Sequence, residues 1–269
     1  MKKGSSAKSI KIDGHSVSYL FQKGNRESIV FVHGFGASKE TFLEAFEIPE
    51  LKLFSLLATD LIGFGDSDKP NNFSYLFRDQ AKVIERTIDL IGLDRFHLVT
   101  HSMGGIIGIE LGEMIPHRLR SFINVEGNIS LEDCTMSKRV ADMGEEIFSR
   151  EGLEELKQSI SNESEKTQSK PLKDYLRSLS RATPQSLFKS SVSTVHESIS
   201  GNLLKRFARL PVHKCYIYGE KNKGHFPAES MLMQEGVPLF YVSESGHSMM
   251  KENPEEFYDL ILKIIRQSS

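Results

Sequence analysis

The sequence predicts an α/β protein with a doubly wound, mostly parallel sheet. Two observations carry this. Short apolar runs rich in β-branched residues recur along the 269 residues, and stretches with helical periodicity separate them. Runs apolar at every position suit strands covered on both faces, and strands alternating with helices suit crossover connections. In chain order, Ile10–Asp13 and Val17–Phe21 flank a Gly14-His15 turn and read as a hairpin. Buried strands are expected at Ser28–Val32, Phe54–Thr59, Phe96–Thr100, Ser121–Val125, Val212–Tyr218 and Leu239–Val242. Between them Val83, Ile84, Ile88 and Ile91 form one helical stripe, and Phe257, Leu260, Ile261 and Ile264 form another near the C-terminus.

The alternation stops at residue 130. From Ser130 to Leu210 there are helical stripes and no convincing strand: Met136, Val140, Met143 and Ile147; Leu153, Leu156 and Ile160; Tyr175, Leu176 and Leu179. The Ser/Glu/Lys-rich stretch Ser161–Lys170 reads as an exposed loop. The expected division is a core of residues 1–129 and 211–269 interrupted by a helical segment, 130–210.

Composition narrows the function. With 34 Lys+Arg against 36 Asp+Glu, no basic excess marks a nucleic-acid binder, and a highly charged substrate is disfavoured. Two cysteines, Cys134 and Cys215, build no disulfide framework and show no metal-ligand spacing. The charged start Met1–Ser6 is followed by no apolar stretch, and no run of about 18 apolar residues exists to span a membrane. The expectation is a cytoplasmic globular protein with no membrane insertion, no metal and no cofactor.

The most informative stretch is Leu98-Val99-Thr100-His101-Ser102-Met103-Gly104-Gly105. An apolar strand runs into a serine and at once into a glycine-rich helical segment. A sharp strand-to-helix turn of this kind lifts a serine clear of the sheet. A serine capping a helix after a buried strand has the same pattern. Gly104, Gly108 and Gly112 would form a smooth ridge on the helix, each at a cost of about 0.8–1 kcal/mol against alanine, which close helix–sheet packing would offset. Thr100 stands where the G-x-S-x-G pattern has its first glycine, so the turn must relax or its neighbours stand off. After the first core strand, Phe31-Val32-His33-Gly34-Phe35-Gly36 supplies glycine-flanked backbone N–H groups. Acyl transfer needs two such donors on the developing oxyanion, and the expected pair is the N–H of Phe35 and that of Met103. A dinucleotide fingerprint fails here, because position 39 is lysine, not the third glycine. Asp60, opening the loop Asp60-Leu61-Ile62-Gly63-Phe64-Gly65-Asp66-Ser67, is expected to bond loop amides as a structural turn.

Taken in order, His33-Gly34-Phe35-Gly36, Asp60 through Ser67, His101-Ser102-Met103-Gly104-Gly105 and Ser245-Gly246-His247 resemble the α/β-hydrolase superfamily. The likeness covers nearly the whole chain and is closest to the branch holding haloalkane dehalogenases, epoxide hydrolases and carbon–carbon-bond hydrolases. It implies that the helical segment is a cap over the active site and that His247, just after the last strand, is the base. The carboxyl end of a strand is where open α/β sheets place catalytic groups. His101 adjoins the serine, but adjacent side chains diverge on such a turn, so it is a poor base.

The acid departs from the family pattern. Most members carry an aspartate in a Gly-x-x-Asp context after the seventh strand, where this chain has Gly219-Glu220-Lys221-Asn222. An amide orients a histidine but cannot stabilise the imidazolium by charge; an Asp-to-Asn change in a serine triad costs about 10⁴ in kcat. Glu126 ends the sixth strand and offers a replacement, a location some haloalkane dehalogenases also use. The alternatives are Glu126 as a carboxylate paired with the cap, or direct use of Asn222 or Glu220. The expected triad is Ser102, Glu126 and His247.

Dehalogenases and epoxide hydrolases attack with an aspartate; a serine in that position implies an acyl-enzyme. The leading expectation is a carboxylic-ester hydrolase acting on a small-molecule, largely apolar acyl substrate beneath a roof that includes Met136 and Met143. The alternatives are a carbon–carbon-bond hydrolase and a non-enzymatic ligand sensor.

Overall fold

The computed structural model describes residues 7–267; the charged start Met1–Ser6 lies outside them. Eight strands form one sheet: β1 (Lys8–Ile12), β2 (His15–Gln22), β3 (Ser28–Val32), β4 (Ser55–Thr59), β5 (Phe96–His101), β6 (Leu119–Val125), β7 (His213–Gly219) and β8 (Leu239–Val242). Their order is β1-β2-β4-β3-β5-β6-β7-β8. The first three in that order pair antiparallel, and every later pair is parallel. All six expected core strands are present. The hairpin turns one residue earlier than expected, at Asp13-Gly14, with φ of +48° and +86°. Asp-Gly tolerates two positive φ values in a row, whereas the Cβ of His15 would strain there.

Every residue of β3, β4 and β5 is buried, as strands covered on both faces require. Successive side chains feed opposite layers. Val30 and Val32 join Ile84 and Ile88 of α1 (Phe77–Ile91) and Ile106 and Ile107 of α2 (Gly104–Met114). Ile29 and Phe31 face the other layer, where the C-terminal helix contributes Phe257, Ile261 and Ile264.

Between β6 and β7 the chain is helical: α3 (Thr135–Met143), a short α4 (Glu145–Ile147) continuing through a π turn into α5 (Leu153–Thr167), then α6 (Lys170–Leu179), α7 (Pro184–Ser200) and α8 (Leu203–Arg209). After β7 come α9 (Pro227–Gln234), α10 (Met249–Glu252) and α11 (Pro254–Gln267). Two expectations fail in the inserted segment. The predicted loop Ser161–Lys170 is helical up to Thr167, because Ile160 and Ser164 keep one face of α5 buried four residues apart while the polar residues point outward. Ile147 leaves the stripe begun by Met136, since Gly144 at φ +82° ends α3, and Ile147 is exposed. Among the described residues no helix is long and apolar enough to cross a membrane.

Candidate active site

Ser102 occupies the turn from β5 into α2 with φ +54°, a left-handed conformation that a non-glycine residue adopts only where its surroundings enforce it. Its N–H donates to Val125 O of β6 at 3.0 Å, and its carbonyl accepts from the N–H of Gly105 at 2.8 Å and of Asn128 at 3.2 Å. Two glycines make room for this turn. A Cβ at Gly34 would lie 2.8 Å from Ser102 Cβ, and one at Gly104 would lie 2.7 Å from the carbonyl oxygens of Val32 and His33. The ridge also explains Thr100. A Cβ at Gly108 would sit 2.5 Å from the Phe122 ring and 2.8 Å from Thr100 Cγ2, so the absent side chain on the helix leaves the space that the threonine methyl fills. Around the turn, hydrogen bonds run from Ala37 N–H to Gly34 O and from Ile106 N–H to Met103 O. Among the described residues these backbone bonds do not use the N–H of Phe35 or of Met103.

His247 follows β8, and its Nδ1 lies 2.7 Å from Glu126 Oε2. Glu126 ends β6 at φ +40° with its side chain 4% exposed. Its Oε1 accepts the N–H of Gly219 at 2.8 Å, and Asn222 Nδ2 lies 2.9 Å from both carboxylate oxygens. Burial pushes the Glu126 carboxyl up, but the bonds and charge of His247, with the donors Gly219 and Asn222, outweigh it and hold the group below the ordinary carboxylate range. With the carboxylate accepting, His247 carries its proton on Nδ1 and leaves Nε2 free as an acceptor.

His101 lies beside His247, ring centroids 4.5 Å apart, and donates Nε2–H to the His247 carbonyl at 2.8 Å. Burial, aided by the neighbouring imidazole, pushes it down to about 3, so it stays neutral. Its Nδ1 is buried without a partner. His33 ties two loops: Nδ1–H donates to Gly34 O at 2.8 Å, and Nε2 accepts Leu61 N–H at 3.1 Å. Asp60 takes the N–H groups of Lys39 and Asp66, the structural turn expected of it.

Ser102, His247, Glu126 and Phe35 all line one cleft of about 990 Å³ between the carboxyl ends of the strands and the inserted helices. Met103 is buried beside Ser102. Met136 lines the same cleft, whereas Met143 packs on Gly152 and Phe148 inside the helical layer. Sequence reasoning missed three participants: Asn222 as a donor to Glu126, Lys39 buried against Asp60, and Arg181 reaching from the helical segment onto the core. Only Asn222 carried a signal, by standing where an aspartate was expected.

Comparison with known proteins bears on the fold. Probable lysophospholipase BODYGUARD 4 of Arabidopsis thaliana is 41% identical over 101 residues, 37% of this chain and 24% of that protein. The mesoderm-specific transcript protein of Mus musculus is 34% identical over 90 residues, 33% of this chain and 27% of that one. The chain therefore spans about a quarter of the length of such relatives. Among solved structures, a point mutant of the N-acyl homoserine lactonase AidH complexed with N-hexanoyl homoserine superposes with a TM-score of 0.80 at 18% identity, over 98% of each chain. A thermophilic esterase from Thermogutta terrifontis superposes with a TM-score of 0.78 at 18% identity, over 98% of this chain and 99% of that one. These likenesses show the fold. The family model for the alpha/beta hydrolase fold matches residues 27–209, more than half of the sequence, and the chain belongs to that family.

Proposed function

We propose that the protein is a serine hydrolase of carboxylic esters that works through an acyl-enzyme on Ser102. The observation that carries this is the shared cleft: a serine at φ +54° on the strand-to-helix turn, and a histidine whose Nδ1 is fixed by a buried carboxylate at 2.7 Å. In this reading His247 Nε2 takes the Ser102 hydroxyl proton as Oγ adds to the ester carbonyl. The N–H groups of Phe35 and Met103 receive the oxyanion. As the tetrahedral intermediate collapses, His247 returns the proton to the leaving alkoxide, which departs as the alcohol. Water, losing a proton to His247, then adds to the acyl-enzyme, and the carboxylic acid leaves as Ser102 Oγ recovers that proton. Glu126 stays ionised and stabilises the imidazolium.

Residues 130–210 act as the cap. Phe35, Leu43, Met136, Leu172 and Phe226 give the cleft apolar walls, which fit an acyl chain. The names of the relatives point the same way, since lysophospholipases, lactonases and esterases all act on ester-type bonds. Both cysteines are free, compatible with the cytoplasmic setting expected from composition.

The test is a panel of alkanoate esters of graded chain length, run with the native chain and with Ser102→Ala, together with fluorophosphonate labelling. Hydrolysis should fall about 10⁴- to 10⁶-fold in the variant, and the label should map to Ser102. A folded protein that neither hydrolyses any ester nor takes the label refutes the reading.

A further inference from the structure

Helix α6 of the cap is seated on the turn that carries Phe35 by three separate contacts. Gly36 has φ +63°, and a Cβ there would lie 2.7 Å from Leu179 Cδ1 and 2.9 Å from the Tyr175 hydroxyl, so the turn and the helix touch directly. Ser38 Oγ and Ser178 Oγ share a hydrogen bond at 2.7 Å. Arg181, just past α6, donates Nη2–H to Ser38 Oγ and to Glu40 Oε2, both at 2.8 Å, and Nη1–H to Asp66 Oδ1 at 3.0 Å.

The same segment is gripped from below and from the side. Lys39, whose side chain is fully out of solvent, lies 2.7 Å from a carboxylate oxygen of both Asp60 and Asp66. Lys251, four residues beyond His247, donates to Glu40 O and to Glu44 Oε2 at 2.6 Å each. Lys39 and Arg181 together face three carboxylates, Glu40, Asp60 and Asp66. Without Arg181, one cation would face all three, and Ser38 would keep only Ser178 as its link to the cap.

We propose that Arg181 is a positioning residue for the oxyanion hole. The turn from Gly34 to Ala37 is closed by a single 3.3 Å backbone bond, and its next residue is Ser38. Fixing Ser38 and Glu40 fixes the far end of that turn, and with it the direction of the Phe35 N–H. A donor aimed at the oxyanion matters only when charge develops there, so the arginine acts on the transition state rather than on substrate binding. The proposal rests on the serine-hydrolase reading of Ser102.

The experiment compares the native chain with Arg181→Gln, Arg181→Lys and Ser178→Ala. It measures kcat and KM on a short-chain ester and the inhibition constant of an alkyl boronic acid, whose adduct with Ser102 places an oxygen in the oxyanion hole. Arg181→Gln should lower kcat about tenfold or more with KM within about threefold, and the boronate should weaken by the same factor as kcat/KM. Arg181→Lys keeps the charge but not the forked contact with Ser38 and Glu40, so it should fall between native and Gln. A rise in KM with kcat retained, or a boronate constant that tracks KM instead of kcat/KM, shows that Arg181 only docks the cap and overturns the proposal. Should Arg181→Gln fail to fold, the same ratio in Arg181→Lys and Ser178→Ala decides. Native protein that neither hydrolyses esters nor labels at Ser102 overturns the hydrolase reading and this proposal with it. Active native protein with an unchanged ratio in the variants overturns this proposal alone.

Discussion

Replacing Glu126 with glutamine removes one charge from the site while keeping nearly the same shape. Its carboxylate is buried, 4% exposed, and 2.7 Å from His247 Nδ1, whose ring is 52% exposed. At a charge separation of about 4 Å and an effective dielectric of about 20, the carboxylate stabilises an imidazolium by about 4 kcal/mol. That corresponds to about 10³ in rate at 1.36 kcal/mol per tenfold. The hydrogen bonds add to this. Gly219 N–H, Asn222 Nδ2–H and His247 Nδ1–H all donate towards Glu126, and glutamine offers one oxygen where the carboxylate offers two. Its amide N–H would confront at least one donor, and turning it towards Nδ1 would force the wrong imidazole tautomer. Glu126→Gln should therefore lose about 10³- to 10⁴-fold in kcat with little change in KM, matching the cost of the same change in a serine triad. The assay is steady-state hydrolysis of a chromogenic ester, with a thermal melt to show that the variant is folded. A kcat within tenfold of native, with Asn222→Ala inactive, would transfer the acid's role to position 222 and refute the reasoning.

Gly108→Ala should lower stability by about 1–2 kcal/mol, because a Cβ 2.5 Å from the Phe122 ring overpacks a rigid core by more than the helix gains from alanine. A melting temperature equal to or above native in calorimetry refutes that account. Acid should weaken the fold in two stages. Burial lowers His33, His97 (to about 4) and His101 (to about 3), so below the ordinary value of 6.5 the unfolded chain binds protons the folded one refuses, and stability falls with pH until each folded value is passed. Glu40, held down to about 2 despite its burial by Arg181, Ser38 and Lys39, adds stability present above about pH 4.5 and lost as pH falls towards 2. Urea denaturation should show a slope of about 2.7 kcal/mol per pH unit near pH 5 from the protons His97 and His101 take up on unfolding, with His33 adding in the same direction. A flat profile between pH 7 and 5 contradicts it.

Strands of this sheet were legible because burial on both faces demands a continuous apolar run, as at residues 29–32, a pattern that needs no partner to be recognised. Polar helices were harder. The second half of α5 buries only Ile160 and Ser164, so its helical character lies in what packs against it rather than in its own composition. The same contrast divides the site. Ser102 and His247 stand in local motifs, and Glu126 marks the end of an apolar strand, so all three could be named and the fold brings them to one cleft. Asn222 meets Glu126 across 96 residues, and Arg181 meets Glu40 across 141. A charged or amide side chain on a polar stretch resembles any solvated residue until the fold supplies its partner.

The location of the proposed acid follows from sheet register. β6 and β7 run parallel with Val125 opposite Ile217, and Glu126 N–H continues the ladder to Ile217 O at 3.0 Å. Adjacent strands are about 4.8 Å apart, and glutamate is one methylene longer than aspartate. A glutamate at the end of β6, turned by its φ of +40°, thus reaches the space beyond β7 that an aspartate rooted there would fill. Its donors show whose space that is: Gly219 closes β7, and Asn222 follows it. The histidine responds to the position of the charge and not to the strand that carries it. Once the carboxylate arrives from β6, an aspartate at 222 would put two carboxylates at about 3 Å, and one of them would be driven to hold a proton. Asparagine there donates to both oxygens of Glu126 instead, so the residue that looked like a missing acid is the one that a relocated acid requires.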